Sequence, residues 1–274
     1  MTVDVRGRIS LSAIEVDSIL TTLKVALPTA FQFLGFGETE DERRQLLRQA
    51  WQGLESKGLV ERGELHPFLV SAFQTLARPA MSIWAFIQLG GMEEIDAVVA
   101  ANGEFAVLAA HHGAKDLHPH DRELNLEPVR GSGLPWAAAA LLPEHRPGPG
   151  RSVNCGSAEI EEASKAAGRN PESARTAFMQ AGIRQSDADM LATVLTAKRL
   201  RFGEFSARGF DPLSGRTRKS EFRADILDTV NGRYLLQHKP DQSGGRWFTM
   251  APTDRNRFAT QLDEVLQSVA PRRR

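Results

Sequence analysis

Two stretches of this chain resemble one another, and that likeness constrains the fold more than any other feature. DAVVAANGEFAVL begins at Asp96 and DILDTVNGRYLL begins at Asp225. A single offset of 129 pairs Asp96 with Asp225, Val98 with Leu227, Asn102-Gly103 with Asn231-Gly232, and Val107 with Leu236. Short apolar runs joined by Asn-Gly are a strong hairpin signal, because a type I′ turn needs positive φ at both central residues. The helices that precede each hairpin repeat in the same order. The period is far too long for a solenoid. The expectation is an α+β fold, a quasi-twofold repeat with a central antiparallel sheet flanked by helical bundles. The expected organisation is one domain over 1–274, with halves at about 8–143 and 157–270 joined by a linker at 144–156.

Local signals place the helices. Ser12 with Glu15 and Thr39 with Glu42 have capping-box spacing. Val16, Ile19, Leu20 and Leu23 follow the first box on one helical face, and Leu46, Leu47, Ala50, Trp51 and Leu54 follow the second. Gly58 is placed to close the second helix, and a third is predicted from about Pro67 to Ala77. In the second half helices are predicted near 158–167, 171–181 and 186–198. Asn170-Pro171 reads as a cap and first turn, and Ser186 with Asp189 as another capping pair. A last helix is predicted from about Asp254 to Val269. Strands are predicted at 81–89, at the two apolar runs around Asn102-Gly103, at 201–210, at 219–230 as one strand, and at RYLLQHK and RWFTMA. WAAAALL at 136–142 reads as a possible strand, 111–135 as irregular, and HRPGPGRSVNCG at 145–156 as linker. In EFRADILDTV, Phe222, Ala224, Ile226 and Val230 alternate with Glu221, Arg223 and Asp225, which predicts one packed and one partly wet face.

The formal net charge is zero, so no global attraction to nucleic acid or membrane follows. The charge is unevenly spread. From Lys198 onward there are 16 Lys/Arg and 9 Asp/Glu, which leaves 18 and 25 for the rest. Either the two parts attract one another or one solvated face is basic; a basic surface for an acidic partner is the functional alternative. One cysteine, Cys155, cannot form an intrachain disulfide. No apolar run approaches the ~20 residues that span a bilayer. MTVDVRGRISL lacks the pattern of a signal peptide. A cytoplasmic protein is expected.

The search for chemistry finds no Walker loop, C-x-x-C, H-E-x-x-H or G-x-S-x-G. The densest constellation is HHGAKDLHPHD, with His111, His112, His118, His120 and Asp121. Its spacing matches no standard zinc site, so no metal and no cofactor are expected; a metal-dependent hydrolase using this His111–Asp121 loop is the alternative. A DNA-binding regulator is the other, but the third helix carries no basic residue to offer to base edges.

AWQGLESKGLVERGELHPFLVSAFQTLARP carries Trp51, Gly58-Leu59-Val60, Gly63 and Ala77-Arg78-Pro79. The stretch from Arg216 to Leu262 carries Arg216-Thr217, Glu221, Asp228-Thr229, Gly232-Arg233, Gly245-Arg246-Trp247, Thr249 and Pro252. In these features the chain resembles the EspG family of type VII (ESX) secretion systems. The resemblance implies a non-enzymatic cytosolic chaperone that binds the helical tip of a PE–PPE-like pair, or another secreted helical hairpin, and keeps it soluble before export. The loop Gly90-Gly91-Met92-Glu93-Glu94 is shorter than the substrate-directed loop of many members. Apolar side chains beside glycines and turns nominate Leu89, Met92, Ile95, Phe205, Phe210, Trp247 and Phe248 as partner-binding residues, since binding energy concentrates in a few such anchors.

Overall fold

A computed structural model describes residues 7–31, 35–114, 116–167, 170–241 and 244–270. The chain begins with β1 (Ile9–Ser12), α1 (Ala13–Leu23) and α2 (Glu40–Ser56). A small hairpin of β2 (Val60–Glu61) and β3 (Glu64–Leu65) leads to α3 (Pro67–Ala77). The strands β4 (Met81–Gly90), β5 (Glu93–Asn102), β6 (Phe105–Ala114) and β7 (Glu123–Arg130) follow, then α4 (Leu134–Ala140). The sequence then runs through β8 (Val153–Gly156), α5 (Ser157–Ala167), α6 (Pro171–Gln180) and α7 (Gln185–Leu195). It ends with β9 (Arg199–Asp211), β10 (Arg216–Lys219), β11 (Ala224–Thr229), β12 (Gly232–Pro240), β13 (Arg246–Pro252) and α8 (Arg255–Gln267).

Both predicted capping boxes form. Ser12 and Glu15 close the start of α1, and Thr39 and Glu42 the start of α2. Asn170 caps α6 through its side-chain oxygen. The predicted Ser186–Asp189 pair does not form: α7 starts one residue earlier, after Arg184, with no side-chain cap. WAAAA at 136–140 lies in helix α4, not in a strand, and Leu141 caps the helix end. Alanine is the best helix former, and Pro135 suits a first helical turn.

One antiparallel sheet runs in the order β1-β7-β6-β5-β4-β9-β11-β12-β13-β8, with β10 hydrogen-bonded to β9 off this path. From the β4–β9 seam it reads outward as β5, β6, β7, β1 on one side and β11, β12, β13, β8 on the other. Each flank ends in a four-residue strand, which leaves little exposed edge for unwanted pairing. Residues 219–230 are not one strand. β10 ends at Lys219, and β11 starts at Ala224 on the other stretch of β9.

The two Asn-Gly sites turn differently from the type I′ expectation. Asn102 is the last residue of β5, and the turn is Gly103-Glu104, with φ of 60° at Gly103. The Asn102 side chain accepts from the Ala80 amide and donates to the Arg78 carbonyl, fastening the α3–β4 junction. In the second hairpin the turn is Val230-Asn231, and Gly232 already pairs with Thr229.

Three apolar clusters sit on the two faces of this sheet. On one face α4 and α8 cover the centre: Leu134, Ala138, Phe258 and Leu262 meet Ile83, Ile87, Val99, Phe205 and Ile226. On the other face α1, α2 and α3 pack on β5, β6 and β7 through Leu54, Phe73, Val98 and Val107. There α5, α6 and α7 pack on β8, β12 and β13 through Phe178, Leu191, Tyr234 and Met250. Strand β11 is therefore buried on both faces, and every residue from Ala224 to Thr229 is covered. The partly wet face expected for Asp225 is overturned by the α5–α7 layer, and Val230 is an exposed turn residue.

The segment read as linker is ordered. Arg233, 1% exposed, donates from Nε to Asp228 Oδ1 (2.7 Å) and from Nη2 to Asp228 Oδ2 (2.8 Å) and the Pro143 carbonyl (2.7 Å). The Arg233 amide donates to Arg146 O, and Gly148 N donates to Arg233 O. The Tyr234 hydroxyl donates to Pro149 O at 3.0 Å. Asp228 and Arg233 thus lock residues 143–149 against the start of β12. The attraction expected between the segment from Lys198 onward and the rest is represented, among the described residues, by one ion pair, Arg255 with Glu144 at 3.5 Å. Among the described residues no ion pair joins 8–143 to 157–270; the only pairs reaching outside one half use Arg151 and Glu144 of the linker.

Candidate partner-binding groove

Strands β4 and β9 alternate small or aliphatic residues with large or polar ones. Ile83, Ala85 and Ile87 face the core under α4 and α8, so Trp84, Phe86 and Gln88 face the opposite side. On β9, Phe205 and Ala207 face that core, so Phe202, Glu204, Ser206 and Arg208 share the side of Trp84, which pairs directly with Ser206. Trp84 packs against the α1–α3 cluster and Phe202 against the α5–α7 cluster, so the two bundles stand on one face with the seam between them. These seam residues are all half-buried rather than covered. The result is a groove with a β4–β9 floor and helical walls.

At one end the groove deepens into a cavity of about 680 Å³, lined by the Ala26–Thr29 segment, the end of α3, Trp84, Arg208, Phe210 and Thr217. The Arg208 guanidinium lies 3.3 Å from the centre of the Trp84 ring, and Trp84 Nε1 donates to Ser82 Oγ at 3.1 Å. Cation–π contact holds the Arg208 charge against the Trp84 ring face.

The nominated residues divide. Ile95, Phe205 and Phe248 are 2%, 0% and 4% exposed and belong to the core. They present nothing to a partner, because strand alternation turns them under α4 and α8 or under α5–α7. Leu89 is half-buried at a bulge in β4. Met92, Phe210 and Trp247 are exposed. Met92 caps the β4–β5 turn, whereas Phe210 lies beside the opposite end of β4, where its amide donates to Ala80 O. Ten residues of strand separate them by about 30 Å. Trp247 sits three strands from β9 and donates from Nε1 to Asp241 at 3.1 Å. The groove brings Phe210 to a cavity and leaves Met92 and Trp247 elsewhere. The sequence reading missed Trp84, Phe86, Glu204 and Arg208, although the alternation that exposes them was legible.

The histidines are spread out. His111 and His112 belong to β6 and point to opposite faces; His111 is buried with Nδ1 3.2 Å from Glu123 O. His120 stacks on Phe36 at 4.1 Å. Among the described residues no three His, Cys, Asp or Glu side chains converge on one point that could hold a metal. Cys155 is buried in β8, and burial pushes its thiol up to about 11, which keeps it protonated and poorly nucleophilic. His238 Nδ1 is 2.9 Å from Ser157 Oγ, but Ser157 is buried at the start of α5.

Among the described residues no helix is long and apolar enough to cross a membrane. A comparison with curated protein sequences returns no match. Among solved structures the chain is similar to the Mycobacterium tuberculosis type VII secretion system chaperone EspG5, determined in complex with the PE25–PPE41 dimer. The TM-score is 0.74 at 15% identity, covering 96% of each chain, which is a likeness of fold. The EspG family model matches residues 13–264, from the first residue of α1 into α8 and across both flanks of the sheet. By that match over nearly its whole length, the chain belongs to the EspG family.

Proposed function

We propose that this protein is a cytosolic chaperone of type VII secretion that holds the helical tip of a PE–PPE-like pair and keeps it soluble before export. The observation that carries the reading is the groove over β4 and β9, a half-exposed sheet floor between two helical walls. A helical hairpin exposes apolar surface that aggregates unless covered. A groove of this shape covers it without chemistry, and the role is binding rather than catalysis. EspG5, of similar fold, is described in complex with such a dimer. We also read the chain as one domain of two halves, 8–143 and 157–270. The supporting features are the shared order of strand, three helices, strands and helix, and the sheet running unbroken through β4 and β9.

Co-expression with a PE–PPE-like pair, followed by affinity purification, tests the function. Phe210→Asp places a charge at the cavity and is expected to weaken co-purification by about two powers of ten in affinity, with the circular dichroism spectrum unchanged. Met92→Asp, changed separately because it lies at the far end of β4, reports whether the turn also takes part. Leu213→Asp, 84% exposed on the β9–β10 turn, serves as the control. Folded Phe210→Asp protein that retains the pair at wild-type affinity would remove the groove as the interface.

A further inference from the structure

One register row crosses the floor of the groove. His111 on β6 pairs with Asp96 on β5, Asp96 with Phe86 on β4, Phe86 with Glu204 on β9, and Glu204 with Asp225 on β11. Asp96 alternates with the core residues Ile95 and Ala97, and Asp225 with Ala224 and Ile226, so both carboxylates stand on the groove face with Phe86 and Glu204. Directly opposed residues in an antiparallel sheet have Cβ atoms about 4.5–5.5 Å apart. Phe86, on the β4 side of the seam, is therefore flanked by a carboxylate on each side.

The positive charge near this row falls short of the negative. Arg223 serves two carboxylates at once, Glu204 at 2.8 Å and Asp225 at 3.2 Å. Asp225 is 8% exposed; its Oδ1 makes no hydrogen bond of ordinary geometry, and the Phe205 amide exerts only a weak pull on the carboxylate. Asp96 has no hydrogen bond or ion pair among the described residues; His111 and Arg122 act on it only through the longer-range field. Burial raises the carboxyls of both Asp96 and Asp225, which is the signature of charges held without a full counter-ion. Like charges directly opposite one another weaken a sheet, so the Glu204–Asp225 pairing runs against stability alone.

We infer that this row is a seat for one cationic side chain, an arginine or lysine at the tip of the helical-hairpin partner, with its charge over the Phe86 ring and between Asp96 and Glu204. The inference rests on the groove being the partner-binding surface and names what that surface selects. Aromatic face and carboxylate walls together are the features that recognise a guanidinium or ammonium group. A divalent cation fits poorly. Asp96 and Glu204 stand two strands apart, about 10 Å along the hydrogen-bonding direction, and no three such side chains converge among the described residues.

The test uses the full chain, labelled at phenylalanine, and N-acetyl-arginine methylamide as the probe, with the uncharged citrulline counterpart as its control. The arginine probe is expected to shift the Phe86 ring resonances saturably at millimolar concentration. Asp96→Asn with Glu204→Gln should raise the midpoint about tenfold or more. Citrulline and calcium chloride should leave Phe86 unmoved. Equal shifts with citrulline, shifts scattered over the surface, a saturable calcium response at Phe86, or an unchanged midpoint in the double variant would each overturn the seat. Should the double variant not fold, the arginine–citrulline comparison on the wild-type chain decides alone. The probe contains no helical hairpin, so its failure removes the cation seat and leaves the chaperone reading to the co-purification test.

Discussion

Arg233 and Asp228 form the most enclosed ion pair of the molecule among the described residues, at 1% and 0% side-chain exposure. The pair is bidentate, and its spare donor holds the Pro143 carbonyl. Breaking one partner of a buried pair leaves a charge without compensation, at a cost of about 3–5 kcal/mol. Asp228→Ala should therefore lower the unfolding free energy measured by urea denaturation by that amount, and should raise hydrogen exchange at the Arg233 and Gly148 amides, which the lock protects. Asp225 behaves in the opposite sense. Burial raises its carboxyl to about 6, above the ordinary value of about 3.9. The fold thus favours the protonated form. The contribution of this group is fully present below about pH 4 and is lost as pH rises through about 6. Asp225→Asn is expected to be more stable than the wild type at pH 7.5, on the order of 2 kcal/mol, with the advantage gone by pH 4. Paired thermal melts across that range measure it. An advantage independent of pH would assign the gain to packing instead.

Among the elements, helix starts were the easiest to read, because a capping box lies within four consecutive residues. Glu15 shows how much one such residue carries. It accepts from the Ser12 amide at 2.7 Å and pairs with Lys57 at 2.7 Å while only 4% exposed. Glu15→Ala should cost more than Thr39→Ala, where an exposed cap is worth about 1 kcal/mol; chemical denaturation of the two variants compares them. Strands β1, β7 and β8 and the small β2–β3 hairpin were missed. β1 and β8 have only four residues each, too few for a period to show, and β8 lies in a segment whose Gly and Pro content suggests a linker. β7 does alternate, burying Leu124 and Leu126, but Pro128 and the adjoining histidine run hide the pattern. β1 and β8 exist because the sheet supplies a partner edge, so tertiary pairing decides them and local propensity does not.

At the scale of the whole molecule, one sheet carries both flanks, and the β4–β9 pairing runs continuously from Met81–Gly209 to Gln88–Phe202. α4 and α8 meet across that seam and bury a single core with residues from both sides. If the chain is one domain, calorimetry should give a single unfolding transition with matching calorimetric and van't Hoff enthalpies. Two transitions would separate the halves and set aside the single-domain reading. The groove also belongs to this scale. Its floor comes from β4 and β9, its walls from α1–α3 in the first half and α5–α7 in the second, and its acidic row from residues as distant as Asp96 and Asp225.

The sequence by itself determined the class of the fold and the family. Helix faces, caps, strand alternation and the Asp96 and Asp225 hairpins are local patterns, and local patterns are written in consecutive residues. The exposed character of Met92, Phe210 and Trp247 was legible for the same reason, since glycines and turns stand beside them. Only the tertiary structure decided that Ile95, Phe205 and Phe248 are core, that residues 143–149 are locked by Arg233, and that the β4–β9 face is left open. Alternation along a strand says that two faces differ, but it does not say which of them a helix will cover. That choice depends on where helices distant in sequence come to rest, and here they rest on both flanks of the seam and leave Phe86 between its carboxylates in the gap.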